Sequence, residues 1–133
     1  MYKKSYKGFV IGLIAYVGLL LSLALIPGMD DQLAMRLIML LTVWYMAALS
    51  FQVWLTEQIY WYNGTTFEDA VAAGSERRKE FAWRHFRIFG RFALIQTALA
   101  LVMCLLGWSA WIDFAVGTVG LCVACFMTIP IKL

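Results

Sequence analysis

Hydrophobic positions in this chain fall into four long runs separated by short polar or turn-forming segments. A helix needs about 20 apolar residues to cross the hydrocarbon core of a bilayer, and each run approaches that length. The pattern therefore predicts four membrane-spanning helices, near residues 8–26, 33–55, 88–107 and 111–131. Only a few residues link the helices within the first pair and within the second pair, so each pair is expected to be antiparallel.

The longest polar segment, residues 63–86, lies between the second and third runs. Asn63-Gly64 at its start is a turn signal. Thr65 and Glu68 are three residues apart and fit a capping box, in which two side chains satisfy free backbone N–H groups at the start of a helix. We expect this segment to form a short amphipathic elbow on the cytoplasmic side.

Two helical pieces are predicted in this elbow. The first covers residues 66–73 and ends at Gly74, because glycine readily adopts the backbone conformation that ends a helix. Ser75 is expected to cap a second helix that begins at Glu76. No residue before Gly107 demands a stop, so this second helix is predicted to continue directly into the third span.

The basic residues are distributed very unevenly about the hydrophobic runs. Ten of the 11 lysines and arginines form a flanking set: they lie before the first run, between the second run and the first residues of the third, or after the fourth. Only Arg36 lies elsewhere, near the start of the second run. Cytoplasmic loops of membrane proteins are enriched in such residues, so both termini are predicted to be cytoplasmic, in a bacterial inner membrane. The residues of the flanking set are Lys3, Lys4, Lys7, Arg77, Arg78, Lys79, Arg84, Arg87, Arg91 and Lys132.

Composition agrees with this topology. Hydrophobic residues make up 63% of the 133 residues and charged residues only 14%, which is too apolar for an ordinary soluble domain. The net charge of +3 arises beside apolar runs, so the expected partners are anionic lipids and not nucleic acid. The first run is longer than a signal-peptide core and ends in Pro27-Gly28 without a small-residue cleavage site, so it is expected to be retained.

Small residues recur at helical spacing within the predicted spans. Membrane helices associate through such residues because they allow close backbone approach. The fold class predicted is therefore an all-α integral membrane protein, a single domain over residues 1–133 formed by one antiparallel four-helix bundle with small faces turned inward. These stripes could also serve a transport path or an oligomer contact. The principal packing positions are Gly8, Gly12, Gly117, Gly120 and Ala124.

Polar residues within or beside the spans match in depth. Arg36 in the second span and Asp113 in the fourth are predicted to form an outer charge pair. Near the inner boundary, two charged and two amide side chains are candidates for a polar vestibule open to the cytoplasm, with the glutamate as a proton or cation site. The alternative is that Glu57 and Arg91, which match in depth, neutralise each other, or that each group reaches its own interface. The vestibule candidates are Glu57, Arg91, Gln52 and Gln96.

Arg77, Arg84 and Arg87 recur along one side of the second elbow helix. A helix with a basic side and neighbouring aromatic residues can lie on an anionic membrane surface. We predict that these arginines contact an anionic lipid or ligand. Simple cytoplasmic anchoring, recognition of a phosphate group and docking of an acidic protein are the three alternatives.

No catalytic residue, metal ligand or cofactor is assigned. Cys122 and Cys125 are spaced like a redox motif but fall inside the fourth span, where thiolates are disfavoured. His85 is the single histidine, and zinc or haem sites need more ligands than this chain offers.

The preferred functional hypothesis is a non-enzymatic membrane protein that acts by association. It would do so as a homo-oligomer or as a subunit of a larger transport or signalling complex. The first alternative is a channel or transporter for a small ion or solute that uses the polar vestibule. The second is a lipid- or anion-handling membrane enzyme that uses the arginine stripe.

Overall fold

A computed structural model describes residues 2–62 and 64–133. Within these ranges the chain forms four α-helices and one 3-10 turn, Ile59–Trp61, and contains no β-strand. All four helices are long and apolar enough to cross a membrane. The predicted all-helical fold is therefore confirmed. The helices are α1 (Lys7–Ala24), α2 (Asp31–Thr56), α3 (Phe67–Leu105) and α4 (Ala110–Thr128).

Three of the helices begin at a side-chain cap. Asp30 accepts a hydrogen bond from the backbone N–H of Leu33 and starts α2, while Ser109 caps α4. At α3 the capping box is formed by Thr66 and Asp69. The predicted box of residues 65 and 68 was therefore wrong by one residue, because the helix itself begins at Phe67.

α3 contains the break that was predicted at Gly74. This residue has φ 75° and ψ 167°, a left-handed conformation that glycine adopts without a steric penalty. Ser75 does not cap the second piece as expected, because its hydroxyl donates to the Glu57 carboxylate at 2.7 Å. The predicted turn residue Asn63 lies outside the described residues, and Gly64 beside it has φ 85°.

The core of the bundle is formed by α2, α3 and α4. Val43 and Ala93 have no exposed surface, and Met39, Ala47, Phe89 and Ala124 pack with them. α1 packs against α2, but none of its residues, all of which the structure describes, is buried. The expectation that four small faces turn inward was therefore wrong for α1, which lies at the periphery of a three-helix core.

The two ends of the bundle differ in chemistry. We call the end with the chain termini and the bend of α3 the basic end, and the end with the two short interhelical links the loop end. A second core closes the basic end, where Tyr2, Phe67 and Ile131 pack against buried residues of α2, the 3-10 turn and α3. The N-terminal segment is held there by hydrogen bonds between Ser5 and Tyr60.

Candidate functional site

A groove of about 1340 Å³ opens at the basic end. This volume exceeds the roughly 300–1000 Å³ of typical small-molecule pockets. Residues of α2, α3 and α4 line it, together with residues of the segment between α2 and α3 and of the segment after α4. The groove follows α4 from Leu121 past Thr128, a distance of about 10 Å along the helix axis. Its deep part is apolar and is lined by Met46, Leu49, Phe89, Leu121, Cys122 and Phe126.

We call the part of the groove at the basic end its mouth. Its lining is mixed: the polar residues are Thr65, Asp69, Arg77 and Lys132, and the apolar residues are Trp61, Ile131 and Leu133. The Asp69 carboxylate is already engaged, because it accepts hydrogen bonds from the backbone N–H and the hydroxyl of Thr66. These donors are neutral and lower the pKa of Asp69, so the carboxylate stays ionised. Arg77 and Lys132 form no ion pair with any residue in the described ranges. With Arg77 and Lys132 both positive, the mouth keeps an excess of one positive charge.

Three polar side chains, Ser50, Tyr62 and His85, lie between the mouth and the apolar part. The rings of Tyr62 and His85 stack with centroids 4.2 Å apart. Burial raises the pKa of Tyr62 to about 12, so the phenol is neutral at physiological pH. Its hydroxyl lies near Ser50 but makes no hydrogen bond of good geometry with the described residues.

The orientation of His85 follows from one backbone contact. Its Nδ1 lies 2.9 Å from the carbonyl oxygen of Phe81, one helical turn earlier. A carbonyl only accepts hydrogen bonds, so Nδ1 carries a proton. Burial lowers the pKa of His85, which favours the neutral ring with a lone pair on Nε2. A neutral imidazole and a neutral phenol thus offer hydrogen-bonding groups inside the groove without adding charge.

At the loop end, Arg36 and Asp113 form an ion pair between the starts of α2 and α4. The Arg36 guanidinium also donates to the carbonyl oxygen of Trp108. The side chains are 11% and 1% exposed. Gln32 accepts a hydrogen bond from the backbone N–H of Ala110 at 2.6 Å and links the same two helices. These contacts lie at the loop end, whereas the groove opens at the basic end. They hold the starts of α2 and α4 together and so have a structural role.

Glu57 forms a different ion pair from the one predicted with Arg91. Its carboxylate accepts hydrogen bonds from Arg78 at 3.0 and 2.8 Å. Lys79 lies 3.6 Å away. Glu57 ends α2 with φ 60°, and this left-handed conformation turns the residue towards the bend of α3. The predicted pairing was wrong because it assumed that Glu57 continues the second helix and so lies at the same depth in the membrane as Arg91.

The charge state of Glu57 is set by opposing effects. Burial alone would raise the pKa of its carboxyl group. The hydrogen bonds from Ser75 and Arg78, with the positive charges of Arg78 and Lys79, outweigh burial and leave the pKa below its ordinary value of 4.5. Glu57 is therefore ionised at neutral pH, which disfavours the predicted role as a proton site.

The lowered pKa of Glu57 predicts an acid-sensitive contact. Because the carboxylate is favoured in the folded chain, its stabilisation is complete above about pH 4.5 and is lost as pH falls through the lower pKa of the folded state. We expect thermal stability in detergent to fall below pH 4.5 in the wild-type protein. Glu57→Gln should be less stable at pH 7 and should lack this contribution to the acid-induced decrease. An unchanged pH profile in the variant would contradict the assignment.

The other vestibule candidates are not brought together. Gln52 faces α1, where a Cβ atom added at Gly8 would lie 2.4 Å from its Nε2. Gln96 faces α4 and donates to the carbonyl oxygen of Asp113 at 3.3 Å. Arg91 is exposed. The predicted vestibule is therefore dispersed over three different surfaces of the bundle.

The predicted arginine stripe is divided among different environments. Arg77 lines the groove. Arg84 pairs with Glu80 at 2.5 Å along the same helix. Arg87 is exposed and is not part of the groove lining. Of the three candidates, Arg77 alone contributes to the groove.

The predicted packing positions lie at close helix contacts. A Cβ atom at Gly117 would lie 2.6 Å from Met39 Sδ, and one at Gly120 would lie 2.5 Å from the Phe92 ring. Gly8 and Gly12 face Gln52 across the α1–α2 contact. Ala124 is 3% exposed and belongs to the central core. These five residues allow the helices to approach one another.

Sequence reasoning missed several groove residues. Lys132 was predicted only as a member of the flanking basic set. Tyr62 follows the second apolar run, and an aromatic residue at that position indicates only the membrane interface. Ser50 gave no signal at all, since a serine within a span commonly bonds to its own helix. These residues come from three separate segments, and only the packing of α4 beside α2 brings them together.

Comparison with known proteins does not add a family to this description. No model of a protein family matches the sequence, and neither a curated protein nor a solved structure matches it at a significant level. The functional argument therefore depends on the residues of this chain.

Proposed function

We propose that this chain is an integral membrane protein with both termini in the cytoplasm, located in a bacterial inner membrane. The four apolar helices support the membrane location. The orientation is supported by the cluster of lysines and arginines at the basic end. The basic end then lies at the cytoplasmic boundary, and Arg36 and Asp113 lie near the opposite one.

Within that membrane, we propose that the protein holds a membrane amphiphile in the groove. The observation that carries this proposal is the continuous change from a charged mouth at the basic end to an apolar interior. An amphiphile entering sideways from the bilayer would keep its polar group at the boundary. Its chain would cover apolar residues of α2 and α4. The role is binding of a lipid, and the hypothesis of association as a homo-oligomer or as a subunit of a larger complex stays a separate prediction.

The close packing of the bundle favours binding over conduction. Val43, Val53 and Ala93 are completely buried where α2 meets α3 and α4. Interiors packed at this density leave few voids larger than a water molecule. A path for ions through a single chain would need these contacts to open, whereas the groove is already open at the side.

A matched pair of substitutions on α4 tests the proposal. Cys122 lines the groove, whereas its neighbour Val123 is 52% exposed and lies outside the lining. Nanodiscs would contain a small fraction of phospholipid with a photoactivatable acyl chain. We expect saturable labelling of residues 121–129 in the wild-type protein. Cys122→Trp should lose most of it because the indole occupies the groove, and Val123→Trp should retain it. Equal labelling in the two variants would contradict the proposal.

A further inference from the structure

We infer that the groove selects a lipid whose headgroup carries a phosphate with net negative charge, and that Arg77 and Lys132 hold this headgroup. This inference rests on the proposed function and specifies the occupant of the same groove. It requires that the two cations are free of ion pairs, that they lie at the mouth of the groove, and that the groove lining beyond them is apolar.

The availability of the cations follows from the ion pairs of their neighbours. Arg78 is engaged by Glu57, and Arg84 is engaged by Glu80. Arg77 and Lys132 line the groove, yet no described carboxylate pairs with either. The acidic residue at the mouth, Asp69, stays ionised, but the capping box holds it at the start of α3 and it pairs with neither cation. The two cations outnumber this one carboxylate, so the mouth favours an anion.

The two cations that line the groove come from different elements of the fold. Arg77 lies on α3 just after the bend at Gly74, and Lys132 follows the end of α4. A guanidinium group binds phosphate with directed, paired hydrogen bonds, while an ammonium group acts as a compact point charge. A phosphate between them would join the elbow to the chain terminus without displacing an existing ion pair.

The remainder of the groove explains why the anion is part of a lipid. Below the mouth, Ser50, Tyr62 and His85 offer neutral hydrogen-bonding groups. Hydroxyl and imidazole groups at this level can bond to ester or hydroxyl oxygens next to a headgroup. Beyond them the lining is apolar as far as Leu121 and Met46. A free phosphate ion would leave this apolar surface uncovered, whereas an acyl chain would cover it.

The test measures headgroup preference separately from occupancy. The full chain is placed in nanodiscs of phosphatidylglycerol and phosphatidylcholine in equal amounts with identical acyl chains, and the lipids retained on ejection are identified by native mass spectrometry. We expect the wild-type protein to retain phosphatidylglycerol with about thirtyfold preference, since each basic side chain near a membrane contributes roughly fivefold. Arg77→Gln with Lys132→Gln should reduce the preference to nearly one. The lipid count should stay unchanged.

Two control variants make the result specific. Arg87→Gln with Arg91→Gln removes the same charge from exposed positions outside the groove lining and should keep the preference. Arg77→Lys with Lys132→Arg keeps both charges and should keep it as well. A preference that survives loss of the groove cations, or that falls equally when residues 87 and 91 are changed, would overturn the inference.

The possible outcomes separate the inference from the proposed function. Retained lipid without headgroup preference would overturn the inference and leave groove binding standing. Absence of retained lipid from the wild-type protein would overturn both. Inorganic phosphate added alone, if it displaced the retained lipid at millimolar concentration, would show that the cations bind a free anion and would also overturn the inference.

Discussion

Asp113→Asn is expected to destabilise the folded protein by about 1–3 kcal/mol. The Asp113 side chain is 1% exposed and that of Arg36 is 11% exposed. The change removes the ion-pair partner of Arg36, and leaving a buried polar group without its hydrogen-bond partner typically costs an amount in this range. The free energy of unfolding would be measured by denaturant titration in detergent micelles. Loss of the α2–α4 link should leave the loop end more open to proteolysis.

The same chemical change at Asp31 provides the control. Asp31 is exposed in the first turn of α2. Asp31→Asn should cost less than about 1 kcal/mol, the size of an exposed charge effect at a helix start. Replacing both members of the buried pair, Arg36→Met with Asp113→Leu, should recover most of the loss. Equal effects of the two Asp→Asn changes would contradict the structural importance of the pair.

Gly117→Leu is expected to destabilise the bundle by about 1–3 kcal/mol or more. A Cβ atom at this position would lie 2.6 Å from Met39 Sδ and 3.0 Å from Gln96 Nε2. Extra carbon atoms in a packed core force side chains and backbone to move, with costs in this range. Because Gln96 also donates to the Asp113 carbonyl oxygen, displacement of its amide would disturb the start of α4.

Gly18→Leu is the matched control for this change. Gly18 lies on α1, and no neighbouring atom lies within 4 Å of a Cβ atom built there. The substitution should be neutral or stabilise the protein by up to about 1 kcal/mol, because leucine favours a helix more than glycine does. Unfolding titrations of the two variants should therefore shift in opposite directions or by clearly different amounts. Similar destabilisation by both would show that the effect at Gly117 does not come from its close contacts, and little or no destabilisation by Gly117→Leu would show that repacking relieves the clash.

The sequence predicts the helices of this fold well because their signals are local. Long apolar runs set the four helices, and Asp30 and Ser109 are efficient caps at their starts. The break at Gly74 follows from the conformational freedom of glycine. The sequence also indicated the pair of Arg36 and Asp113, because both residues lie near the same end of adjacent helices and therefore at a similar depth.

The groove and the partner of Glu57 could not be obtained in the same way. Glu57 leaves the helical conformation at the end of α2, so its side chain contacts Arg78 and Ser75, not residues at equal helical depth. The groove depends on how α4 packs beside α2. Helical periodicity shows which face of a helix a residue occupies, but it does not show which other helix packs against that face. The sequence therefore could not predict that Tyr62 and Lys132 line the same groove.

The measurement that decides whether the groove binds lipid is the mass of the untagged wild-type protein, released from its native membrane with lipid retained. We expect a species that carries one tightly bound phospholipid per chain, which is lost in Cys122→Trp and kept in Val123→Trp. A second chain beside it would be compatible, provided that the lipid remains. A bare chain without lipid, or an equal lipid load in the two variants, would contradict the claim that the groove binds a membrane amphiphile.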